Sequence, residues 1–589
     1  MDDGVRLAVD YYLPSAAGVQ AEGPLPVVLH YTRYGRAFES AGGLVTQVDR
    51  DLSLQHLLRH GYAVAVADAR GSGASFGVHD GPLSAAETRD SYRLIEWLAS
   101  QGWCNGNVGM QGRSYPGITQ YHAASQAPPH LKAIFPEMAG PSPYDFIFEG
   151  GTYKEDFVRV WGAYTARLDA GAPDLAARVD EDADGSLRDA ALAEHAANLT
   201  PDAITGIARF RDSIVKGPSG DIWSWSIAGV LDDAASIEAS GVAIYHIAGW
   251  FDTYSTQQPL MFVNLRKAPQ KMAIGPWVHT GGLGGRLLNT EMLRWFDYWL
   301  KNIDNGIMDE ASFHYWVMRG NNTLPEERGQ LLSWDEAAAD AGTGWSAADE
   351  WPPAGCVTAR YFLSGAPSGT GASANDGTLM TSPPKTTEAH DRHAVDFPAR
   401  GGALTRWTNS LGARRSDRPG TTFFDERSAD NMGSLTYTTA GLEHDVVLVG
   451  NPVAHLFVSS THSDGDFFVT LEEVDSSLRS HYVTEGALRA SYRALADPPF
   501  DNLDLPYHPA TEESLLPLPE QPVELVIDLM GTATIIDAGH RLRLTIDGAN
   551  RPDFEAYPDP ETSGTPVIAI HRGGGSSSFV DLPVCGSKR

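Results

Sequence analysis

The distribution of apolar and polar positions divides the chain into three kinds of text. Up to about residue 140, short apolar runs alternate with helix-spaced ones: "LPVVLHY" (25–31), "DLSLQHLLRHG" (51–61), "YAVAVADA" (62–69), "AAETRDSYRLIEWLASQ" (85–101), "NVGMQG" (107–112) and "ITQYHAASQ" (118–126). Strands that alternate with helices predict a parallel sheet covered by helices, and unbroken Val/Ala runs fit strands buried on both faces. From about 145 to 240 the text turns rich in Ala, Asp and Leu at helical spacing, as in "DLAARVDEDADGSLRDAALAEHAANL" (174–199), and reads as a helical insertion. Strand-like text then returns in "GVAIYHIAGWFD" (241–252) and "KMAIGPWVHTGG" (271–282), followed by the amphipathic "TEMLRWFDYWLKNI" (290–303). After the Pro/Gly junction "WPPAGC" (351–356), strands separated by turn residues dominate: "DVVLVGNPVAHLFVSS" (445–460), "DFFVTLEEVD" (466–475), "VELVIDLMGTATIID" (523–537), "HRLRLTIDG" (540–548) and "SSFVDLPV" (577–584). This predicts a β-sandwich, read as a jelly roll. The expected order is an α/β domain over 1–144, a helical cap over 145–240, the rest of the α/β domain over 241–352, and an all-β domain over 353–589.

Composition narrows the setting. The chain has 589 residues, 42% of them hydrophobic and 20% charged, an ordinary globular balance with room for several cores. With 75 acidic against 44 basic side chains the formal charge is −31, which repels nucleic acid and anionic membranes, so neither is an expected partner. Three cysteines, Cys104, Cys356 and Cys585, show no C-x-x-C spacing; neither a disulfide framework nor a zinc cluster is expected, and a reducing compartment is. The acidic start "MDDGVRLAVDYYLP" lacks a secretion signal's basic and apolar segments, which adds to the expectation of a cytoplasmic protein. No run approaches the roughly 18 apolar residues that span a bilayer.

Two serines compete for a nucleophile's role. Gly73-Ala74-Ser75-Phe76-Gly77 matches the pentapeptide G-x-S-x-G literally, but Ser75 lies seven residues past Asp68, at the end of its strand, and no helix follows for about ten residues. It reads as a structural loop serine. A dinucleotide fingerprint at Gly71-Ser72-Gly73 fails because Pro82 sits where its helix should run. Ser114 has the required context, since "NVGMQG" supplies a strand, Tyr115-Pro116-Gly117 a turn and "ITQYHAASQ" a helix, although the second glycine comes one place late. Asp252 and His279 end the two apolar runs that follow the insertion, giving the chain order serine, acid, histidine of an α/β-hydrolase. In that arrangement His279 takes the Ser114 proton, Asp252 orients the imidazole, and the Tyr115 N–H stabilises the oxyanion with a donor from the loop after "LPVVLHY", either Tyr31 or Tyr34. Trp250, Phe251, Tyr254 and Trp277 flank the acid and the histidine and are expected to wall an apolar substrate pocket.

Together, "DGVRLAVDYYLP", "GYAVAVADARGSGASFG", "WCNGNVGMQGRSYPGITQ", "AGWFD", "IGPWVH", "LRWFDYWLKN" and "DAGHRLRLTIDGANRPDFE" resemble the CocE/NonD hydrolases, the cocaine esterase-like and X-Pro dipeptidyl peptidase-like enzymes. The resemblance implies an α/β-hydrolase domain with an inserted helical cap and a C-terminal jelly roll, and places the family's serine, aspartate and histidine at Ser114, Asp252 and His279. It also places the family's oxyanion tyrosine at Tyr34, where the family's preceding proline is replaced by Arg33. The implied activity is metal- and cofactor-independent cleavage of small carboxylic esters, with acylase, amino-acid ester or X-Pro aminopeptidase chemistry on the same triad as the alternative. Asp145, Glu149, Glu155 and Asp156 could hold a substrate ammonium; in a chain this acidic they read first as a solvated face. Metal chemistry finds no H-E-x-x-H, and "HDRH" (390–393) sits in polar text. Assembly into a homo-oligomer is left open.

Overall fold

The computed structural model describes every residue except 41, 173–174, 218–219, 280–284, 320–343, 386–387, 399–405, 410–425 and 587–589. Its first sheet contains β1 (Val9–Tyr12), β2 (Leu25–Thr32), β3 (Ala63–Asp68), β4 (Cys104–Arg113), β5 (Leu131–Glu137), β6 (Ala243–Phe251), β7 (Gln270–Val278), β8 (Phe313–Arg319) and β9 (Gly344–Ala348). The spatial order is β1-β3-β2-β4-β5-β6-β7-β8-β9, parallel from β3 to β8 and antiparallel at the two ends. All residues of β3 and β6 are buried, as their unbroken apolar text requires.

Helices α1 (Leu52–Arg59), α2 (Ala85–Ala99), α3 (Tyr115–Ser125), α4 (Glu155–Asp169), α5 (Ser186–His195), α6 (Pro201–Ile207), α7 (Gln257–Asn264) and α8 (Gly285–Lys301) are the main helices of the α/β part and its insertion. α2 and α3 pack on each other and on β4, while α1 and α8 pack together against the sheet. β5 is absent from the sequence reading because Lys132 and Pro136 break its apolar run. Side chains complete its hydrogen bonding: Gln120 accepts from Phe135 N at 2.9 Å and Gln258 donates to Pro136 O at 2.8 Å.

The insertion between β5 and β6 holds α4, α5 and α6 together with two short hairpins, Phe148–Glu149 with Thr152–Tyr153 and Ile214–Gly217 with Gly220–Ser224. Among the described residues of the helix-spaced run 174–199, only those of α5 form a helix. Upstream, Ala177 is tied to the α/β part, donating to Ala37 O at 3.2 Å and accepting from Arg36 at 2.8 Å, so tertiary contacts override local propensity. Asp182 then caps the start of α5 by accepting from Leu187 N and Arg188 N.

The C-terminal part is all-β. Among its antiparallel pairs, β10 (Cys356–Ser364) lies beside β15 (Phe579–Cys585), and β11 (Asp466–Val474) lies between β12 (Ser480–Arg489) and β14 (Arg541–Asp547). The last residues of β8 pair with β13 (Thr532–Ile536), so one strand is shared between the parallel sheet and the sandwich. A buried cluster spans the junction: Trp250 packs at a tilt against Trp351 with centroids 5.7 Å apart and donates to Trp316 O at 2.7 Å, beside Phe313, Tyr482 and Ala533. The cysteine reading is corrected here. Cys356 and Cys585 face each other across β10 and β15 and form a disulfide, leaving Cys104 free, so cysteine spacing no longer argues for a reducing compartment. Residues far apart in sequence had become cross-strand neighbours, which spacing does not reveal. Among the described residues no helix is long and apolar enough to cross a membrane.

The loop after β3 contains the literal G-x-S-x-G. Ser75 is fully buried there, donating to Asp68 O at 2.7 Å and accepting from Ala8 N at 2.8 Å, and so ties the N-terminal segment to the end of β3. Ser75→Ala strands the buried Ala8 N–H and should lower the free energy of unfolding by about 1–3 kcal/mol. Urea unfolding of the two proteins checks this; an unchanged midpoint would mean that the hydroxyl has no structural role.

Candidate active site

Ser114 stands between β4 and α3 with φ 63° and ψ −127°, a backbone conformation that a side-chain-bearing residue adopts only under constraint. Two glycines make the turn feasible. A Cβ on Gly112 would lie 2.6 Å from Pro116 Cβ, and one on Gly117 would lie 2.8 Å from Ala139 Cβ and 2.9 Å from Glu137 O. The late glycine of the motif is therefore where α3 crosses the end of β5. Ser114 N donates to Glu137 O at 2.9 Å, and Ser114 O accepts from Gly117 N at 2.7 Å and Ile118 N at 2.9 Å. As the first N–H of α3, Tyr115 N has no acceptor within the helix and lies at its positive end.

Asp252 and His279 follow the carboxyl ends of β6 and β7, neighbouring parallel strands. His279 Nδ1 lies 2.6 Å from Asp252 Oδ2, and Nε2 lies 3.0 Å from Ser114 Oγ. The fully buried Asp252 uses its other oxygen to accept from Tyr254 N at 2.8 Å. Asp252 is acceptor-only when ionised, so the imidazole carries its proton on Nδ1 and leaves Nε2 to accept from the Ser114 hydroxyl. Arg113 spans from the nucleophile side to the histidine loop, donating to Glu137 at 3.2 Å and to His279 O at 3.5 Å.

The two tyrosines considered for the oxyanion site part company. Tyr34, just beyond β2, lines the same pocket as Ser114, and its hydroxyl accepts from Trp161 Nε1 at 3.1 Å. Burial raises its phenol pKa, while the Trp161 hydrogen bond and the Arg33 charge oppose that rise. Tyr31 points the other way, toward Glu87, Thr88 and His122, and its hydroxyl has no hydrogen-bond partner among the described residues. Tyr115 presents its backbone to the site and its ring to the interior, where its hydroxyl donates to Glu87 at 2.6 Å and accepts from Leu83 N at 2.9 Å.

A pocket with about 670 Å³ of non-protein space opens at Ser114. Its walls are Tyr34, Leu83, Ile118 and Tyr254 from the α/β part, and Phe146, Phe157, Trp161, Ile204, Trp223 and Trp225 from the insertion; no charged side chain lines it among the described residues. Of the four aromatic residues expected there, only Tyr254 takes part. Trp250 and Phe251 are buried in the cluster shared with the sandwich, and Trp277 is buried against Trp345, 5.6 Å between ring centroids. The insertion's wall residues were missed because nothing in their own text distinguishes them from core.

The acidic residues at the start of the insertion are engaged elsewhere. Asp145 accepts from Arg211 at 2.6 and 3.0 Å, Glu149 from Lys154 at 3.4 Å, Glu155 from Arg551 at 3.3 Å, and Asp156 pairs with Arg159. Asp145 and Glu149 line a separate cleft that does not include Ser114.

A serine on a strained strand-to-helix turn, in line with a histidine and an aspartate at neighbouring strand ends, defines an α/β-hydrolase. The X-Pro dipeptidyl-peptidase pattern of the S15 family matches residues 3–281, and the X-Pro dipeptidyl-peptidase C-terminal non-catalytic domain matches residues 305–581. A Mycobacterium bovis protein bearing the name "Putative serine esterase" is 32% identical, covering 99% of this chain and 94% of its own. The cocaine esterase of a Rhodococcus species is 29% identical, covering 99% and 97%. Among solved structures, a CocE/NonD family hydrolase from Staphylococcus aureus superposes with a TM-score of 0.70 at 20% identity, covering 100% of this chain and 92% of that one, which shows the shared fold. The chain belongs to the S15 family, the CocE/NonD and X-Pro dipeptidyl-peptidase-like serine hydrolases.

Glu87, beneath Tyr115, is buried and its pKa is pushed up to about 7, chiefly by desolvation, with the Tyr115 hydrogen bond and the Arg33 charge acting against the rise. A carboxyl raised in the folded state stabilises fully below its unfolded value near 4.5, and that contribution is lost as pH rises through about 7. Glu87→Gln, which cannot ionise, should remove this slope. Between pH 5 and 8 the wild type should lose on the order of 1–3 kcal/mol more unfolding free energy than the variant. Equal slopes in urea titrations at the two pH values would contradict the placement of Glu87.

Proposed function

We propose that the protein is a serine esterase that transfers the acyl group of an apolar carboxylic ester to Ser114 and then to water. The observation that carries this reading is the hydrogen-bonded line Ser114–His279–Asp252 opening into an apolar, aromatic pocket. The names serine esterase and cocaine esterase, borne by relatives that match over nearly their full length, support it.

Ser114 Oγ attacks the carbonyl carbon while its proton passes to His279 Nε2, and Asp252 stabilises the imidazolium. The carbonyl π pair moves onto oxygen, which receives the Tyr115 N–H and the Tyr34 O–H. Collapse of the tetrahedral intermediate expels the alkoxide, which takes the proton back from His279 and leaves as alcohol. Water then repeats the sequence on the acyl-enzyme: its proton goes to His279, its oxygen adds to the carbonyl, and Ser114 leaves reprotonated. No step needs a metal or cofactor.

Substrate choice follows from the pocket. An α-ammonium group would lose its hydration against Phe, Trp and Ile side chains with no carboxylate among the described walls, so apolar acyl groups are favoured over aminoacyl ones. On matched p-nitrophenyl esters, kcat/KM for an apolar acyl group should exceed that for its α-ammonium analogue by roughly 10²-fold or more, and Ser114→Ala should reduce kcat by on the order of 10⁶-fold. Preference for α-ammonium esters or X-Pro amides would point instead to the aminopeptidase chemistry of some relatives.

The oxyanion assignment has its own test. Tyr34→Phe should lower kcat by roughly 10²–10³-fold with KM little changed, whereas Tyr31→Phe should leave kcat at the wild-type value. The reverse pattern in steady-state kinetics would move the donor to Tyr31.

A further inference from the structure

Tyr34 is held from behind by a residue of the insertion. Trp161 lies on α4, and its indole N–H, which can only donate, reaches Tyr34 Oη at 3.1 Å. A phenol oxygen carries one proton and accepts readily at a lone pair in the ring plane. With that acceptor position occupied by Trp161, the phenol proton is turned to the other side of the oxygen, and Tyr34 and Ser114 line one pocket.

Arg33 fixes the pair. Its guanidinium is 2% exposed, donates to Asp169 at 3.1 and 3.3 Å at the end of α4, and donates to His79 Nε2 at 3.0 Å in the loop after β3. Burial and the Arg33 charge hold the His79 pKa well below its ordinary value, so the ring is neutral and can accept that bond. The same guanidinium sits 5.3 Å over the Trp161 ring and 5.9 Å over the Tyr115 ring. One buried cation, immediately before Tyr34 in sequence, thus joins the insertion helix to the α/β part at the place where the indole meets the phenol.

We propose that Trp161 is a positioning residue for the esterase reaction: by donating to Tyr34 Oη it aims the phenol proton at the oxyanion, and the Arg33 clamp makes seating of the insertion and completion of the oxyanion site a single event. In the resting enzyme Trp161 N–H donates to Tyr34 Oη on one side of the pocket, and Ser114 O–H donates to His279 Nε2 on the other. A phenol that accepts at its oxygen is polarised by that bond, so the Tyr34 proton is a better donor than that of an isolated phenol. When a substrate carbonyl enters, the Tyr34 proton meets the carbonyl oxygen with no change in the Trp161 bond. Trp161 also lines the pocket, and a mere wall residue would act through packing of the acyl group, hence on KM, independently of the Tyr34 hydroxyl.

The proposal rests on Tyr34 as oxyanion donor, and a double-mutant cycle separates the two claims. Trp161→Phe keeps an aromatic ring beneath Arg33 and removes the N–H. It should lower kcat roughly three- to tenfold with KM changed less than twofold. In the Tyr34→Phe background, Trp161→Phe should cause no further fall in kcat, because the group it positions is gone. Arg33→Met, which loosens the clamp, should likewise lower kcat in the wild type more than in the Tyr34→Phe background; circular dichroism and thermal unfolding of every variant confirm that the comparison is between folded enzymes. An equal fall in both backgrounds, or an effect of Trp161→Phe confined to KM, overturns the positioning role while leaving Tyr34 in place. A silent Tyr34→Phe overturns the donor assignment itself, and the positioning role with it.

Discussion

The left-handed backbone at Ser114 is the constraint around which the rest of the α/β part is arranged. Such a conformation costs on the order of 1–3 kcal/mol at a residue with a side chain, and it persists only where surrounding contacts over-determine it. They do so here. Gly112 and Gly117 open the space for Pro116 and for the end of β5, Glu137 O accepts from Ser114 N, and Gln120 donates to Gly112 O and Pro116 O at 3.2 and 2.9 Å. The result lifts Oγ off the end of β4 into the reach of His279 and leaves the first N–H of α3 facing the same space.

The other two parts of the molecule each fix one side of that space. The sandwich braces the acid loop, since the buried Arg406 donates to Ser255 Oγ at 3.0 Å, Gly531 O at 2.7 Å and Val483 O at 3.1 Å, and the Trp250–Trp351 cluster seats β6 against the sandwich. The insertion supplies most of the pocket's aromatic wall and, through Arg33 and Asp169, is anchored beside Tyr34. The proposed acid, nucleophile and oxyanion donors are thereby set from three different directions.

The fold was legible wherever burial on both faces leaves an unbroken apolar run, as in β3 and β6, and wherever helical spacing was long, as in α2 and α8. It was illegible at β5, where Pro136 and Lys132 interrupt the run, and at 175–185, where contacts to Arg36 and Ala37 decide the conformation. The chemistry-bearing residues could be found because a strand end followed by a special residue is a local signal, present at Ser114, Asp252 and His279. The pocket carried no such signal. Trp250, Phe251 and Trp277 flank the acid and histidine in sequence, yet they turn into the core, while the walls come from aromatic residues of the insertion that only tertiary structure brings to Ser114. Tyr31 and Tyr34 lie three residues apart, and their opposite directions follow from where β2 ends, which sequence locates too coarsely to choose between them.

The central claim is that the strained serine, and not the literal pentapeptide serine, is the nucleophile. The most direct measurement is reaction of the folded enzyme with a fluorophosphonate, followed by proteolysis and mass spectrometry of the adduct. A single phosphonyl group on Ser114, blocked by prior incubation with an apolar ester inhibitor, is the result expected of a hydroxyl activated by His279. An adduct on Ser75, or inactivation with Ser114 unmodified, would contradict the account.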